Sequence, residues 1–424
     1  MAKISPIKGF RPSSEQAKAV ASPPYDVLNS AEAKAMADGN PMSFLRIIKP
    51  EIELDDALSP YSDEVYLQAK NNFKRFVEEA YLIPDPQACM YLYRQIMGDH
   101  HQVGLVCGSS IDDYFEDVIK KHEYTRPTKE RDRIRHIMTS GIHAGPVFSA
   151  YKHQPEIDAM VDEIVVKTKP HTHFTADDGI QHSIWVVKDQ VWLDKMTQLF
   201  ADKVPFTYIA DGHHRAASTS KVGRMHQDVD KVKGVYTGKE KYNHFLSVLF
   251  PDNQLSIIDY NRVVKDLNGL SKKEFITALA QYFSIEVVSR EKGKPHEGHP
   301  HCFGMFLDDE WFHLHLKKEF WEDEDPVESL DVALLQKYLL EPILGIKDQR
   351  TDERIDFVGG IRGMKELEKR VNSGDMAVAF AIQAVTMAQL FAVADSGEVM
   401  PPKSTWFEPK LRSGLVVYPY LGSL

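Results

Sequence analysis

Between residues 63 and 82 the apolar side chains Val65, Ala69, Phe73, Phe76 and Val77 fall at helical spacing, which gathers them onto one face of an amphipathic helix. The pattern then changes period. "ACMYLYRQIMGDHHQVGLVCGSS" reads as two apolar strands around a turn at Gly98 and Asp99, and "DDYFEDVIKKHEYT" after it reads as a helix. Farther on, residues 155–167 and 190–203 are helical, residues 171–187 form a hairpin turning at Asp178 and Gly179, and "PFTYIA" at 205–210 is a strand. "HFLSVLF" and "SIIDYNRVV" follow as strands, residues 271–283 as a helix capped by Ser271, and residues 302–316 as a second hairpin. The rest mixes helices with the strands "IDFVGG", "MAVAFAI" and "GLVVYP". Strands and helices do not alternate regularly enough for a doubly wound sheet, so the predicted class is α+β with mixed sheets.

Punctuation marks the ends of these segments. In the first fifty residues Pro23 and Pro24 forbid a helix before "SAEAKAMADGN" supplies one. "SREKGKPHEGHPHC", residues 289–302, is rich in Gly, Pro and His and reads as a surface loop.

Composition narrows the class of protein. A length of 424 residues exceeds one ordinary core, and 43% apolar with 27% charged residues excludes disorder and fibre. The formal charge of −11 supplies no field to hold a polyanion, so DNA is not an expected partner. The opening "MAKISPIKGF" has no apolar signal core, and no apolar run is long enough to span a bilayer, which gives the expectation of a cytoplasmic protein without membrane contact. Cys89, Cys107 and Cys302 are scattered, without a C-x-x-C pair, and read as buried small apolar residues. Neither pattern nor composition fixes an oligomeric state.

Chemistry concentrates in "YIADGHHRAASTSKVGRMHQ". The strand ends at Ala210, Gly212 permits a tight turn, and Ala216, Ala217 and Val222 begin an amphipathic helix. A helix N-terminus offers free backbone N–H groups and a positive dipole end, and His213, His214 and Arg215 add cationic or hydrogen-bonding groups there, so the site suits a phosphate. Asp211 can ligate Mg²⁺ or accept a proton. Two other readings of these residues stand beside this one: in the first Asp211 caps the helix while the histidines pack, and in the second His213 and His214 join His171 and His173 around zinc.

"IADGHHR" resembles the phosphate-binding motif of the ParB and sulfiredoxin-like superfamily, most closely that of the free serine kinases, which share the Asp-Gly-His-His-Arg order. The chain as a whole resembles a bacterial domain-of-unknown-function family labelled SpoOJ/ParB-like, through "ASPPYDVLN", "HEYTRPTKERDR", "IADGHHR" and "MPPKSTWFEPKLRSGL". The resemblance implies a ParB/sulfiredoxin-like nucleotide-binding core with helical elaborations. The expected organisation is an N-terminal segment at 1–85 packing on the core, the core itself at 86–265, and a C-terminal α+β region at 266–424 that carries the "MPPKST" loop. His213 occupies the place of the sulfiredoxin cysteine, which rules out sulfinic-acid reduction. No basic recognition helix is present to make a DNA-partition protein.

Two further stretches complete the expected site. "HEYTRPTKERDRIRH" could be a solvated helix face. Alternatively, with Pro127 making its first half a loop, it feeds a carboxylate and cations into a cleft, where Glu123 is the candidate base and Arg126 and Lys129 hold a phosphoryl or carboxylate group. Lys403, Ser404 and Thr405 follow a double proline, and a loop so fixed can orient an acceptor, although a surface turn would look the same. Tyr25, Asp26, His182 and Asn261 receive no role. The expected function is a kinase that phosphorylates the hydroxyl of a small hydroxy acid such as serine from ATP or ADP with Mg²⁺. In that reading Glu123, Asp211 and His214 are catalytic, Gly212, His213, His214 and Arg215 bind the nucleotide, and Asp211 also holds the metal. The alternative is a ParB-like nucleotide-binding regulator or scaffold without turnover.

Overall fold

The computed structural model describes residues 1–295 and 300–421. The chain divides into two compact units, one formed by Met1–Leu255 with Pro409–Leu424 and the other by Ser256–Glu408. This partition differs from the expected one. Residues 1–85 lie inside the first unit, the second begins some residues before 266, and the end of the chain returns to the first because Ser413 pairs with Ser22 and Val417 with Phe10.

A mixed nine-stranded sheet frames the first unit. Its strands are β1 (Ile4–Ser5), β2 (Met90–Met97), β3 (His100–Ser110), β4 (Ile119–Lys120), β5 (Val147–Tyr151), β6 (Thr172–Thr175), β7 (Gln181–Val187), β8 (Thr207–Asp211) and β9 (His244–Pro251). They run β4-β8-β5-β9-β3-β2-β7-β6, with β1 on β3. The β4–β8 and β5–β9 pairs are parallel and the others antiparallel. The predicted hairpins form as read, β2–β3 through Gly98 at φ 58° and β6–β7 through Gly179 at φ 83°.

The helices of five residues or more here are α1 (Ser30–Ala37), α2 (Asp63–Glu78), α3 (Ile111–Phe115), α4 (Pro127–Ser140), α5 (Pro155–Lys167), α6 (Gln190–Lys203) and α7 (His213–Lys233). Ile157 and Met160 of α5 and Leu193, Met196 and Phe200 of α6 join Leu92, Leu105, Trp185 and Leu249 of the sheet in one core. Each such side chain contributes roughly 1.5–3 kcal/mol by leaving water, against the entropy of ordering the chain. A second cluster, Ile111, Ile119, Val147, Ile209, Ala216 and Phe245, seats the start of α7. The small residues Ala216 and Ala217, fully buried, permit that approach.

Two local expectations fail here. The helix predicted from Asp112 onward stops at Phe115, because Asp117 turns left-handed at φ 58° and Ile119–Lys120 is drawn into the sheet beside β8. The segment read as a loop at Pro127 is instead the first turn of α4, where proline's missing N–H costs nothing.

In the second unit a six-stranded sheet is built from β10 (Tyr260–Val264), β11 (Phe283–Val288), β12 (Cys302–Leu307), β13 (Glu310–Leu316), β14 (Ile355–Gly359) and β15 (Val378–Ala381). The sheet order is β11-β13-β12-β15-β10-β14, and each adjacent pair is antiparallel. Helix α8 (Lys272–Leu279) starts at Ser271, whose hydroxyl and Glu274 form the reciprocal capping box. The helix expected over 271–283 ends at Leu279, and Phe283 instead opens strand β11, for which the sequence pattern predicts no strand. Of the loop expected at 289–302, residues 296–299 lie outside the described residues.

Candidate active site

Strand β8 ends at Asp211, Gly212 turns the chain at φ 93°, and α7 begins at His213. A register shift against β5 between Ile209 and Asp211 marks a bulge, which re-aims the strand end out of the ladder. Gly212 is needed for its positive φ. It also leaves room for Arg215 to fold back, since a Cβ there would stand 2.9 Å from the guanidinium carbon.

Asp211 does not cap the helix: the N-cap of α7 is Gly212, without a side-chain cap bond. The carboxylate instead meets two cations, Lys410 Nζ at 3.3 Å and Arg215 Nη2 at 3.5 Å from Oδ2. Burial alone would raise the Asp211 pKa, but the Lys410 and Arg215 charges outweigh it and hold the carboxyl well below its usual range. Arg215 also donates from Nη1 to the Pro146 carbonyl, while its buried Nε has no hydrogen-bond partner among the described residues.

The histidines are not the cations of this site. Burial, with the neighbouring His122 second, pushes the His213 pKa well below its ordinary value, so the ring is neutral. Its Nε2 accepts the His122 backbone N–H at 3.5 Å, which leaves the proton on Nδ1, 3.9 Å from Glu123 Oε2. The His122 and His213 rings meet edge to face at 4.5 Å. His214, lowered chiefly by burial, accepts the Arg126 backbone N–H on Nε2 at 2.9 Å. Together the two imidazoles fasten residues 122–126 over the N-terminus of α7. That brings Glu123, its side chain 55% exposed, to the mouth of the turn.

The other expected residues distribute unevenly. Arg126 is the N-cap of α4, and Arg126 and Lys129 are both exposed. Arg133 from the same stretch lies deeper, donating from Nε and Nη2 to Asp132 at 2.9 and 2.7 Å with its guanidinium 4.1 Å over the Tyr25 ring. Tyr25, Arg133, His143, Gly145, Arg215 and Ser413 line a pocket of about 450 Å³, counted with its opening to solvent. Burial raises the Tyr25 phenol to about 12, so it remains a hydrogen-bond donor.

Lys403, Ser404 and Thr405 belong to the other unit, where Lys403 reaches over the Tyr260 ring at 5.6 Å and Ser404 Oγ donates to the Pro401 carbonyl at 2.6 Å. His171 and His173 do not join His213. They face the β6–β7 hairpin, His171 Nδ1 accepting from Val186 N and His173 Nδ1 bonding Ser183 Oγ. His182 is a packed core histidine, bonded to the Tyr93 hydroxyl at 2.8 Å and held down to about pKa 3 by burial. Asn261 is structural in the second unit, donating to Asp259 and accepting from Ile382 N.

Lys410 is the residue that sequence reasoning missed. It stands in "MPPKSTWFEPKLRSGL", yet Lys403 drew attention because the double proline marked it. The available signal was weak: a lysine shortly before the Arg412-Ser413-Gly414 turn, on a segment that closes back over the N-terminal region.

A model of the family described as "Protein of unknown function (DUF1015)" matches residues 4–333. No curated protein matches the chain. Among solved structures it is similar to a free serine kinase in complex with AMP, at 16% identity, TM-score 0.34 and coverage of 72% of this chain and 86% of that one. It is also similar to SbnI with a C-terminal truncation from Staphylococcus aureus, at 12% identity, TM-score 0.36 and coverage of 72% and 82%. A conserved hypothetical protein from Pyrococcus furiosus gives 16% identity, TM-score 0.32 and coverage of 73% and 93%.

Proposed function

The chain belongs to the DUF1015 family, and from that premise we propose that it is a nucleotide-dependent kinase acting on the hydroxyl of a small hydroxy acid such as serine. The observation that supports this reading is the meeting of a carboxylate base candidate, two cations and a helix N-terminus at one turn: Glu123 at the mouth, Arg215 and Lys410 on Asp211, and the backbone N–H groups that open α7. Phosphoryl transfer asks for little else, because positioning and charge stabilisation supply most of its catalysis.

In this reading the phosphates of ATP or ADP lie over the start of α7, and Lys410 and Arg215 turn part of their charge from Asp211 to the phosphate oxygens. Glu123 takes the proton of the acceptor hydroxyl. That oxygen bonds to the terminal phosphorus as the bond to the leaving nucleotide oxygen breaks, giving the phosphorylated acid and a nucleotide one phosphate shorter. Arg126 and Lys129 flank the opening, where their charges attract an anionic substrate. The donor set fits Mg²⁺ only in company with the nucleotide: Asp211 offers a hard oxygen, and a phosphate chain would offset the two cations beside it. Bound there, Mg²⁺ would neutralise phosphate charge.

The test is incubation of the purified chain with labelled ATP or ADP, Mg²⁺ and a panel of small hydroxy acids. A phosphorylated acid supports the kinase. Saturable nucleotide binding without product favours the non-catalytic regulator or scaffold, and absence of both overturns the site assignment.

A further inference from the structure

The second unit carries a cluster of different chemistry. His313 and His315 are two apart on β13, and on a strand that spacing sends both side chains to one face. The register places Cys302 of β12 directly opposite His315, and Gly304 opposite His313. The ligand atoms of Cys302, His313 and His315 all lie within 4.8 Å of one another, the one grouping of this kind among the described residues. Phe312, Leu314 and Leu316, which alternate with the two histidines, are buried apolar side chains of the opposite face, so polarity at 313 and 315 belongs to one face alone.

We propose that Cys302, His313 and His315 form a metal site for a borderline-soft divalent cation such as Zn²⁺, with the fourth position open to water or an exogenous ligand. One thiolate and two imidazoles is a donor set that zinc takes. Tetrahedral zinc bonds require ligand separations of about 3.3–3.7 Å, so the observed cluster closes on an ion by small side-chain rotations. Groups beyond the ligands support this. His313 Nε2 donates to the Lys292 carbonyl at 2.7 Å, and since a carbonyl only accepts, the lone pair is on Nδ1. Glu286, the cross-strand neighbour of His313 on β11, has its carboxylate 3.8 Å from His315 Nε2. Imidazole fixed by a carbonyl, or beside a carboxylate, is the usual outer support of a metal-bound histidine. Cys302 and His313 are buried whereas the His315 side chain is 41% exposed, which gives an entry path and an open side.

The experiment titrates the full chain, stripped with chelator, with Co²⁺ alone. The expected result is one equivalent bound with visible bands of a tetrahedral ion and a thiolate-to-cobalt charge-transfer band, both removed by Zn²⁺. Cys302→Ser should abolish the charge-transfer band, whereas a Cys89→Ser/Cys107→Ser double variant keeps it. His315→Gln alters a half-exposed position, so it tests the site even if the buried cysteine variant does not fold, and it should weaken Co²⁺ binding at least about tenfold. Absence of a charge-transfer band in the unaltered chain, its survival in folded Cys302→Ser, or undiminished affinity in His315→Gln would each overturn the proposal.

Discussion

Replacing Lys410 with methionine tests how the Asp211 turn is held, because it keeps most of the side-chain bulk and removes the charge 3.3 Å from Asp211 Oδ2. At that separation two unit charges attract by about 5 kcal/mol at an effective dielectric constant near 20. The desolvation of both groups offsets much of this, and Arg215 remains at 3.5 Å to share the carboxylate. Asp211 and Lys410 side chains are only 26% and 19% exposed, so a net loss of about 1–3 kcal/mol is expected, less than for removing a partner in a fully buried pair. The sign with pH follows from the depressed folded pKa of Asp211. Its stabilisation is fully present above the unfolded value of about 3.9 and is lost as pH falls through the lower folded value. The gap between wild type and Lys410→Met should therefore be constant from pH 7 to about 4.5 and narrow below about pH 4. The assay is chemical denaturation followed separately for the two units, with the second, which lacks Lys410 and Asp211, as the internal control. An equal loss in the second unit, or a gap that does not change on acidification while the fold persists, would refute the argument.

Glu123→Gln should lower turnover by about 10²–10⁴-fold with nucleotide affinity near wild type, since the amide keeps shape and cannot take a proton; parallel calorimetry and product assays separate the two. Gly212→Ala should abolish nucleotide binding and cost about 1–2 kcal/mol or more, because the left-handed φ is strained for alanine and its Cβ displaces Arg215; binding calorimetry beside a melting curve reads both. Four buried histidines of the first unit, His122, His136, His143 and His182, are held by burial at pKa values of about 4, 4, 3 and 3. A neutral form favoured by folding gives stability that is complete above the unfolded pKa near 6.5 and declines as pH falls toward those folded values. The first unit should therefore lose several kcal/mol between about pH 7 and 5, and His182→Phe should flatten that slope in a pH series of denaturation curves.

Local pattern carried much of the fold because the helices and hairpins it predicts depend on neighbours in sequence. The periodicity of residues 63–78 forms α2, the turns at Gly98 and Gly179 close their hairpins, and "YIADGHH" gives strand, turn and helix N-terminus where its residue order requires them. The α+β class also stands, as mixed sheets with helices packed on them. Where a distant strand competed, local pattern lost: α3 is short because Ile119–Lys120 gains a place beside β8 that no helix could offer.

The sequence by itself determined the left-handed turn at Gly212, the small residues that seat α7 and the carboxylate, histidines and arginine around them. Only the tertiary structure decided what these groups are. Burial makes His213 and His214 neutral acceptors, a state set by how much water is excluded and not by the residue type. The second cation on Asp211 is Lys410, 199 residues away in sequence, because the end of the chain pairs back onto the N-terminal region. Desolvation and contacts between distant segments are sums over the whole packed chain, so no short stretch of sequence contains them.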